Sequence, residues 1–297
     1  PKAALEYARK LKRLAKKVSD TFFIIMRVYF EKPRTAIGWK GLINDPNLDD
    51  SFHIEQGLKL ARSLFIRINN LGLPTGTEAL DPITPQYLAE LITWSVIGAR
   101  TIESQTHREL SSGLSMPVGF KNATNGSIGV ALNALRAAGR SHHFLGINEK
   151  GVVSVFSTHG NKYGHVVLRG GLTKPNYDQR SVNHCLRELK TLQLRDKIVI
   201  DCSHSNSRRK HTNQPLVVQN CVQQIANGNS SIVGLMLESN LKSGNQNIPA
   251  NPKKLKYGVS VTDACLDWKT TERIILGAYE HFQKVQKISK NRRAGCG

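Results

Sequence analysis

A chain of 297 residues, 39% of them hydrophobic, can bury one large core, as a single α/β barrel or as two ordinary domains. No run approaches the roughly 18–20 apolar residues of a bilayer span, and the five cysteines form no CxxC pair, which argues against a disulfide framework and a structural zinc site. The net charge of +20 asks for anionic partners.

In chain order, the first element is an amphipathic helix, because Ala4, Ala8, Leu11, Ala15 and Val18 recur at helical spacing. The six cations of residues 9–17 then form its wet face, and the absence of interleaved aromatics disfavours a nucleic-acid arm. Strands are expected at Phe22–Phe30, Gly76–Leu80, Val96–Arg100, Val118–Lys121, His165–Arg169, Ile198–Cys202 and Ile232–Leu237. Helices lie between them, such as Phe52–Asn69, one opened by Thr84 as N-cap with Pro85 following, and one closing at Gly228. His142–Ile147 and Val152–Ser157 read as an inserted hairpin around Asn148–Gly151. Alternating strands and helices without a linker predict one domain over residues 1–297 with a parallel sheet, ending in a basic tail from about Lys284. The opening PKAALEYARK has no secretory plan, so a cytoplasmic location is expected. The first residue is Pro1 rather than Met, so a processed or incomplete N-terminus is expected, and seven strands suit a (β/α)₈ barrel whose first strand precedes Pro1.

The chemistry falls at the strand ends: Arg27, Lys32, Arg34, Glu78, Asp81, Arg100, Lys121, Arg169, Asp201, His204 and Glu238. In a (β/α)₈ barrel these ends meet on one face, which carries the active site. Six converging cations call for bound anions, for which phosphorylated substrates and bidentate arginines are suited. Each cation can equally be a solvated loop charge. His204, Glu238 and Asp263 offer the imidazole and carboxylates of a divalent metal site; a core histidine and ordinary rim salt bridges are the alternative.

The segments MRVYFEKPRTAIGWKGLINDP, GARTIESQTHRE, PVGFKN, LRGG, IDCSHSNS and GVSVTDAC closely resemble the microbial class I DAHP synthases over nearly the whole chain. The resemblance implies a TIM barrel condensing phosphoenolpyruvate with erythrose 4-phosphate. It gives Arg34 and Thr35 to erythrose 4-phosphate, gives Arg27, Lys32, Arg100, Lys121 and Arg169 to phosphoenolpyruvate, and puts Glu78 in the polar floor nearby. It makes His204, Glu238 and Asp263 three ligands of a divalent metal (Mn, Fe, Co or Zn). The fourth is a cysteine of a GPCSIHD-like segment expected before Pro1, with Cys202, two residues from His204, as a substitute to be weighed. Lys121 and His204 are the candidate proton carriers, Lys121 because neighbouring cations would disfavour its ammonium. Lys32 joins them as a candidate for the catalytic set.

The resemblance also implies a homo-oligomer, dimer or tetramer, with a cavity for an inhibiting aromatic amino acid lined by Gln86, Leu110, Leu114, Ser115, Phe144, Gly146 and Phe156. Gly146, where phenylalanine-sensitive relatives carry Ser, leaves space for a para-hydroxyl, so tyrosine is the expected effector. Three other readings compete: a sister synthase using arabinose 5-phosphate, disfavoured by KPRT at Lys32–Thr35, a metal-defective pseudoenzyme, and a nucleic-acid-binding protein.

Overall fold

The computed structural model describes residues 1–33, 38–148 and 150–294, with side chains through residue 285. Arg34 and Thr35, and the side chains of the basic tail beyond Lys284, lie outside the described residues.

Among the described residues seven parallel strands form one sheet: β1 (Met26–Arg27), β2 (Thr75–Glu78), β3 (Trp94–Ile97), β4 (Val118–Lys121), β7 (His165–Leu168), β8 (Ile198–Asp201) and β9 (Ile232–Met236), in that spatial order. The pair β5 (His143–Ile147) and β6 (Val153–Ser157) is the antiparallel hairpin between β4 and β7. The sheet curls, because Arg27 Nη1, at the end of one edge strand, donates to the Leu237 carbonyl just beyond the other at 3.1 Å. The helices are α1 (Lys2–Lys17), α2 (Ile54–Asn69), α3 (Thr84–Leu88), α4 (Gln105–Gly113), α5 (Gly129–Ala138), α6 (Gln179–Thr191), α7 (Gln214–Ala226) and α8 (Trp268–Ala294).

The strand registers fix which side chains face inward. Gly76 is level with Arg27 and Trp94, Glu78 with Val96, Val96 with Gly119, Lys121 with Val167, Val167 with Val199, and Asp201 with Met236. Because side chains alternate along a strand, this set shares one face. Val96, Val167 and Met236 pack there on Tyr29, Trp94 and Val199. The alternate residues, including Phe120, Val166, Ile198, Ile200 and Cys202, join the larger core with Leu132, Leu135, Leu189 and Val217 of the surrounding helices. A second outer core joins Leu5, Ala8, Leu11 and Leu14 of α1 to Phe65 and Ile68 of α2, with Trp268 and Tyr279 of α8 against it. Arg9, Arg13, Lys16 and Lys17 stay exposed on the far side of α1, as its periodicity requires.

Several boundaries differ from expectation. The first strand shrinks from Phe22–Phe30 to two residues: Phe22 N–H still bonds the end of α1 at Val18, while Phe30 and Lys32 pair with Ile43 and Lys40 of the following loop. The third begins at Trp94 and stops before Gly98, where Thr101 N–H closes a turn. Thr84 is inside α3 rather than capping it. The Asp81 carboxylate accepts from Ile83 and Thr84 N–H instead, at 2.7 and 3.3 Å.

Candidate active site

The inward row continues past the strand ends into charge. Arg27, Glu78, Lys121 and Asp201 end their strands on the inward face, while Arg169 and Glu238 lie just past their strands, two residues after the inward-facing Val167 and Met236. Gly98 serves this arrangement, because a Cβ there would collide with the Glu78 carboxylate.

Lys121 and Asp201 form a buried ion pair at 3.0 Å. Burial alone would push the Lys121 ammonium down, but the Asp201 carboxylate, aided by Tyr29 and Glu78 against Arg27, holds its pKa above the ordinary value. Crowding by cations, the expected cause of a lowered value, is overcome, so the charged form of Lys121 is favoured. Asp201 in turn is held well below the carboxylate range: burial opposes ionisation, and His204, Lys121 and Arg27 outweigh it.

His204 is set by the same carboxylate. Its Nδ1 lies 2.9 Å from Asp201 Oδ2 and 2.8 Å from Ser203 Oγ, whose hydroxyl donates to Asp201 Oδ1 at 2.6 Å. A proton on Nδ1 satisfies this carboxylate and leaves Nε2 a bare acceptor, the arrangement by which a carboxylate orients a metal-binding imidazole. Nε2 faces Glu238 Oε1 at 3.6 Å, and donor atoms of His204, Glu238 and Asp263 all lie within 4.8 Å of one another. Glu238 is clamped by its backbone, its N–H donating to Gln214 Oε1 at 2.8 Å and its carbonyl accepting from Gln214 Nε2 at 3.0 Å. Three acceptors converging from an imidazole and two carboxylates fit a divalent cation. Lys32 Nζ bonds Asp263 Oδ2 at 3.0 Å on the rim.

Cys202 does not join this cluster. The strand ends at Asp201, Cys202 points into the outer core, and His204 leaves the strand through a left-handed backbone (φ 51°), so the same-face spacing does not apply. Burial pushes its thiol well above the ordinary value.

The remaining cations gather at the same mouth. Arg169 is held below the usual guanidinium range first by burial and then by Arg209 and Arg100, against the pull of Asp201 and Glu238. Arg100 is exposed and reaches toward the Pro33 carbonyl at 3.5 Å. A polar lattice fixes the Arg169 loop: Asn122 Oδ1 accepts from Arg169 N–H at 2.8 Å and from Asn176 Nδ2 at 3.2 Å, and Asn206 ties Asn176 to the Leu168 and Asp201 carbonyls. The strand-end pattern marks Asp201 without giving it a role and passes over Tyr29, Asn122 and Asn206. Tyr29 lies two residues after Arg27, just beyond its strand, and packs against the inward cluster.

The expected effector residues divide. Phe144 and Phe156 stack at 6.1 Å across the hairpin, and a Cβ on Gly146 would meet the Phe156 ring at 2.7 Å, so the expected space beside Gly146 is filled by Phe156. Leu110 and Leu114 pack on the outer core, whereas Gln86 and Ser115 are exposed. Leu114 lines a small cavity with Pro85, Glu31 and Glu78, and burial together with Asp81 pushes Glu31 up to about 7.

Residues 1–275 match the model of the DAHP synthetase I family. The chain belongs to this family. It is 56% identical over 275 residues, covering 93% of this chain and 77% of the relative, to the Tyr-sensitive phospho-2-dehydro-3-deoxyheptonate aldolase of Salmonella typhimurium. It is 47% identical over 296 residues to the phenylalanine-inhibited aldolase of Saccharomyces cerevisiae, covering 98% of this chain and 80% of that one. The structure of the aldolase from Francisella tularensis superposes with a TM-score of 0.92 at 53% identity, over 95% of this chain and 82% of that chain. No helix among the described residues is long and apolar enough to cross a membrane.

Proposed function

We propose that this chain condenses phosphoenolpyruvate with erythrose 4-phosphate and water, giving 3-deoxy-D-arabino-heptulosonate 7-phosphate and inorganic phosphate, the first step of the shikimate pathway. The observation that carries this reading is the gathering of Arg27, Lys121 and Arg169 with the His204, Glu238 and Asp263 cluster at one end of a curled parallel sheet, in a member of this family.

Arg27, Lys32, Arg100, Lys121 and Arg169 hold the phosphate and carboxylate of phosphoenolpyruvate, while Arg34 and Thr35 serve erythrose 4-phosphate. Glu78 and Asp201 set the charge balance beneath them, so the cations are placed before substrate arrives. C3 of phosphoenolpyruvate attacks the aldehyde carbon, water adds at C2, and the C2–O bond breaks to release phosphate. The arginines offset the charge on the leaving group. His204, Glu238 and Asp263 would hold a divalent metal, which when bound supplies Lewis-acid polarisation of the aldehyde oxygen. His204, held by Asp201, keeps its Nε2 directed at that cluster. Lys121, charged through Asp201, serves as a fixed cation and proton donor.

The curled sheet is read as the larger part of a single (β/α)₈ barrel domain, whose remaining strand would lie between β1 and β9, the two edges brought together by Arg27. The assembly is read as a homo-oligomer in the cytoplasm, inhibited by tyrosine at a cavity formed by the hairpin, α4 and the start of α3. The test supplies purified protein with Mn²⁺ and both substrates and follows phosphate release. Release should require both phosphorylated substrates. Faster release with arabinose 5-phosphate than with erythrose 4-phosphate would overturn the reading.

A further inference from the structure

Two cations at the mouth share one aromatic ring. The Arg27 guanidinium carbon lies 4.5 Å from the centre of the Tyr29 ring, and Lys32 Nζ lies 5.8 Å from it. Both are within the range over which a ring quadrupole attracts a cation. Each cation is also anchored elsewhere, Arg27 on the Leu237 carbonyl and Lys32 on Asp263 Oδ2. Those anchors lie on opposite sides of Glu238 in sequence, whereas the ring meets both cations.

The ring is fixed from below, where Tyr29 packs against the inward cluster of Val96, Val167 and Met236. Its hydroxyl, like Arg27 Nε, is buried and makes no well-aligned hydrogen bond among the described residues, although it lies close enough to Arg27 and Lys121 to favour their charged forms. An unpaired buried hydroxyl destabilises the fold. The aromatic face is the part of the residue that meets both Arg27 and Lys32.

We propose that Tyr29 is a positioning residue whose ring holds the Arg27 guanidinium and the Lys32 ammonium in register for the phosphorylated three-carbon substrate. This rests on the reading of Arg27 and Lys32 as its ligands. The ring fixes two long, flexible side chains from one rigid surface, so their orientation is established before binding and less is lost on ordering them.

The test compares Tyr29→Phe, which keeps the ring and deletes the hydroxyl, with Tyr29→Leu, which deletes both. Tyr29→Met fills the same interior space without a ring and stands in if the leucine variant does not fold. Steady-state kinetics and calorimetric binding of phosphoenolpyruvate are measured on each. The Phe variant should keep KM and Kd within about twofold of wild type and melt at an equal or higher temperature, whereas loss of two cation–π contacts should raise both constants about tenfold in the ringless variant. The change in kcat should be much smaller than the change in KM. Unchanged binding in the ringless variant overturns the proposal. A Phe variant as impaired as the ringless one also overturns it and gives the role to the hydroxyl. Wild-type protein that binds phosphoenolpyruvate without turning it over overturns the functional reading alone, since the ranking of variants by Kd still judges the ring. Wild-type protein that binds none removes both.

Discussion

Replacing His165 with glutamine removes a titratable group from the inward face at the opposite end of the sheet from the charged mouth. His165 opens β7 and is 7% exposed, with Nε2 accepting from the Trp94 indole N–H at 3.0 Å and Nδ1 facing the Tyr163 carbonyl at 3.3 Å. Burial disfavours the imidazolium, the Tyr163 carbonyl opposes that shift weakly, and Arg195 adds to it, so the pKa falls from 6.5 to about 4. A depressed histidine pKa means that the unfolded chain takes up a proton which the folded protein refuses. The contribution to stability is complete above pH 6.5 and is lost as the pH falls toward 4. At 1.36 kcal/mol per unit the full effect is about 3 kcal/mol, of which about 2 kcal/mol falls between pH 7.5 and 5. Glutamine can still accept from the Trp94 indole through its amide oxygen and does not titrate. Urea unfolding of both proteins at pH 7.5 and pH 5 isolates the effect, because any cost of the substitution independent of pH cancels. Wild type should lose about 2 kcal/mol more than His165→Gln over that interval. Equal losses in the two proteins would refute the reasoning and place a proton on His165 in the folded state.

Asp201→Asn leaves the Lys121 ammonium buried without its counter-charge and His204 Nδ1 without its carboxylate. Urea unfolding should show a loss of about 3–5 kcal/mol, and metal titration should show Mn²⁺ affinity reduced roughly 10- to 100-fold; unchanged affinity would separate His204 from Asp201. Chelation should abolish phosphate release and added Mn²⁺ should restore it, with Glu238→Gln needing more metal than wild type; turnover that survives exhaustive chelation would remove the metal from the mechanism. Gly146→Ser pushes the Phe156 ring from its place against the glycine, a displacement of about 1–3 kcal/mol. It should weaken tyrosine inhibition about tenfold while leaving uninhibited kcat unchanged, and inhibition curves for tyrosine and phenylalanine that coincide in both proteins would remove Gly146 from effector choice.

How much of this was legible depended on how local the determining contacts are. Val118–Lys121 is legible at both ends because all four residues are buried, and a doubly covered parallel strand is a continuous run bounded by polar turns. Phe22–Phe30 looks equally strand-like, yet its residues leave the turn that follows α1, form a two-residue strand and then enter a loop, where Phe30 and Lys32 pair with Ile43 and Lys40. The charged strand ends were visible as a set, but their roles were not. Lys121 reverses from an expected depressed ammonium to a stabilised one because Asp201 lies 80 residues away in sequence and 3.0 Å away in space. That meeting follows from register: Lys121 is level with Val167, Val167 with Val199, and Asp201 stands two residues on, on the same face. The inference from Cys202 to His204 failed by the same rule applied one residue too far, since alternation ends where the strand ends and His204 turns left-handed. Residue type thus indicates which chemistry the mouth can hold, whereas the charge state of each group is set by the partner that strand register brings within about 3 Å. Shifting β8 by one residue against β7 would turn Asp201 to the outer core, leaving Lys121 without its counter-charge and His204 without its orienting carboxylate.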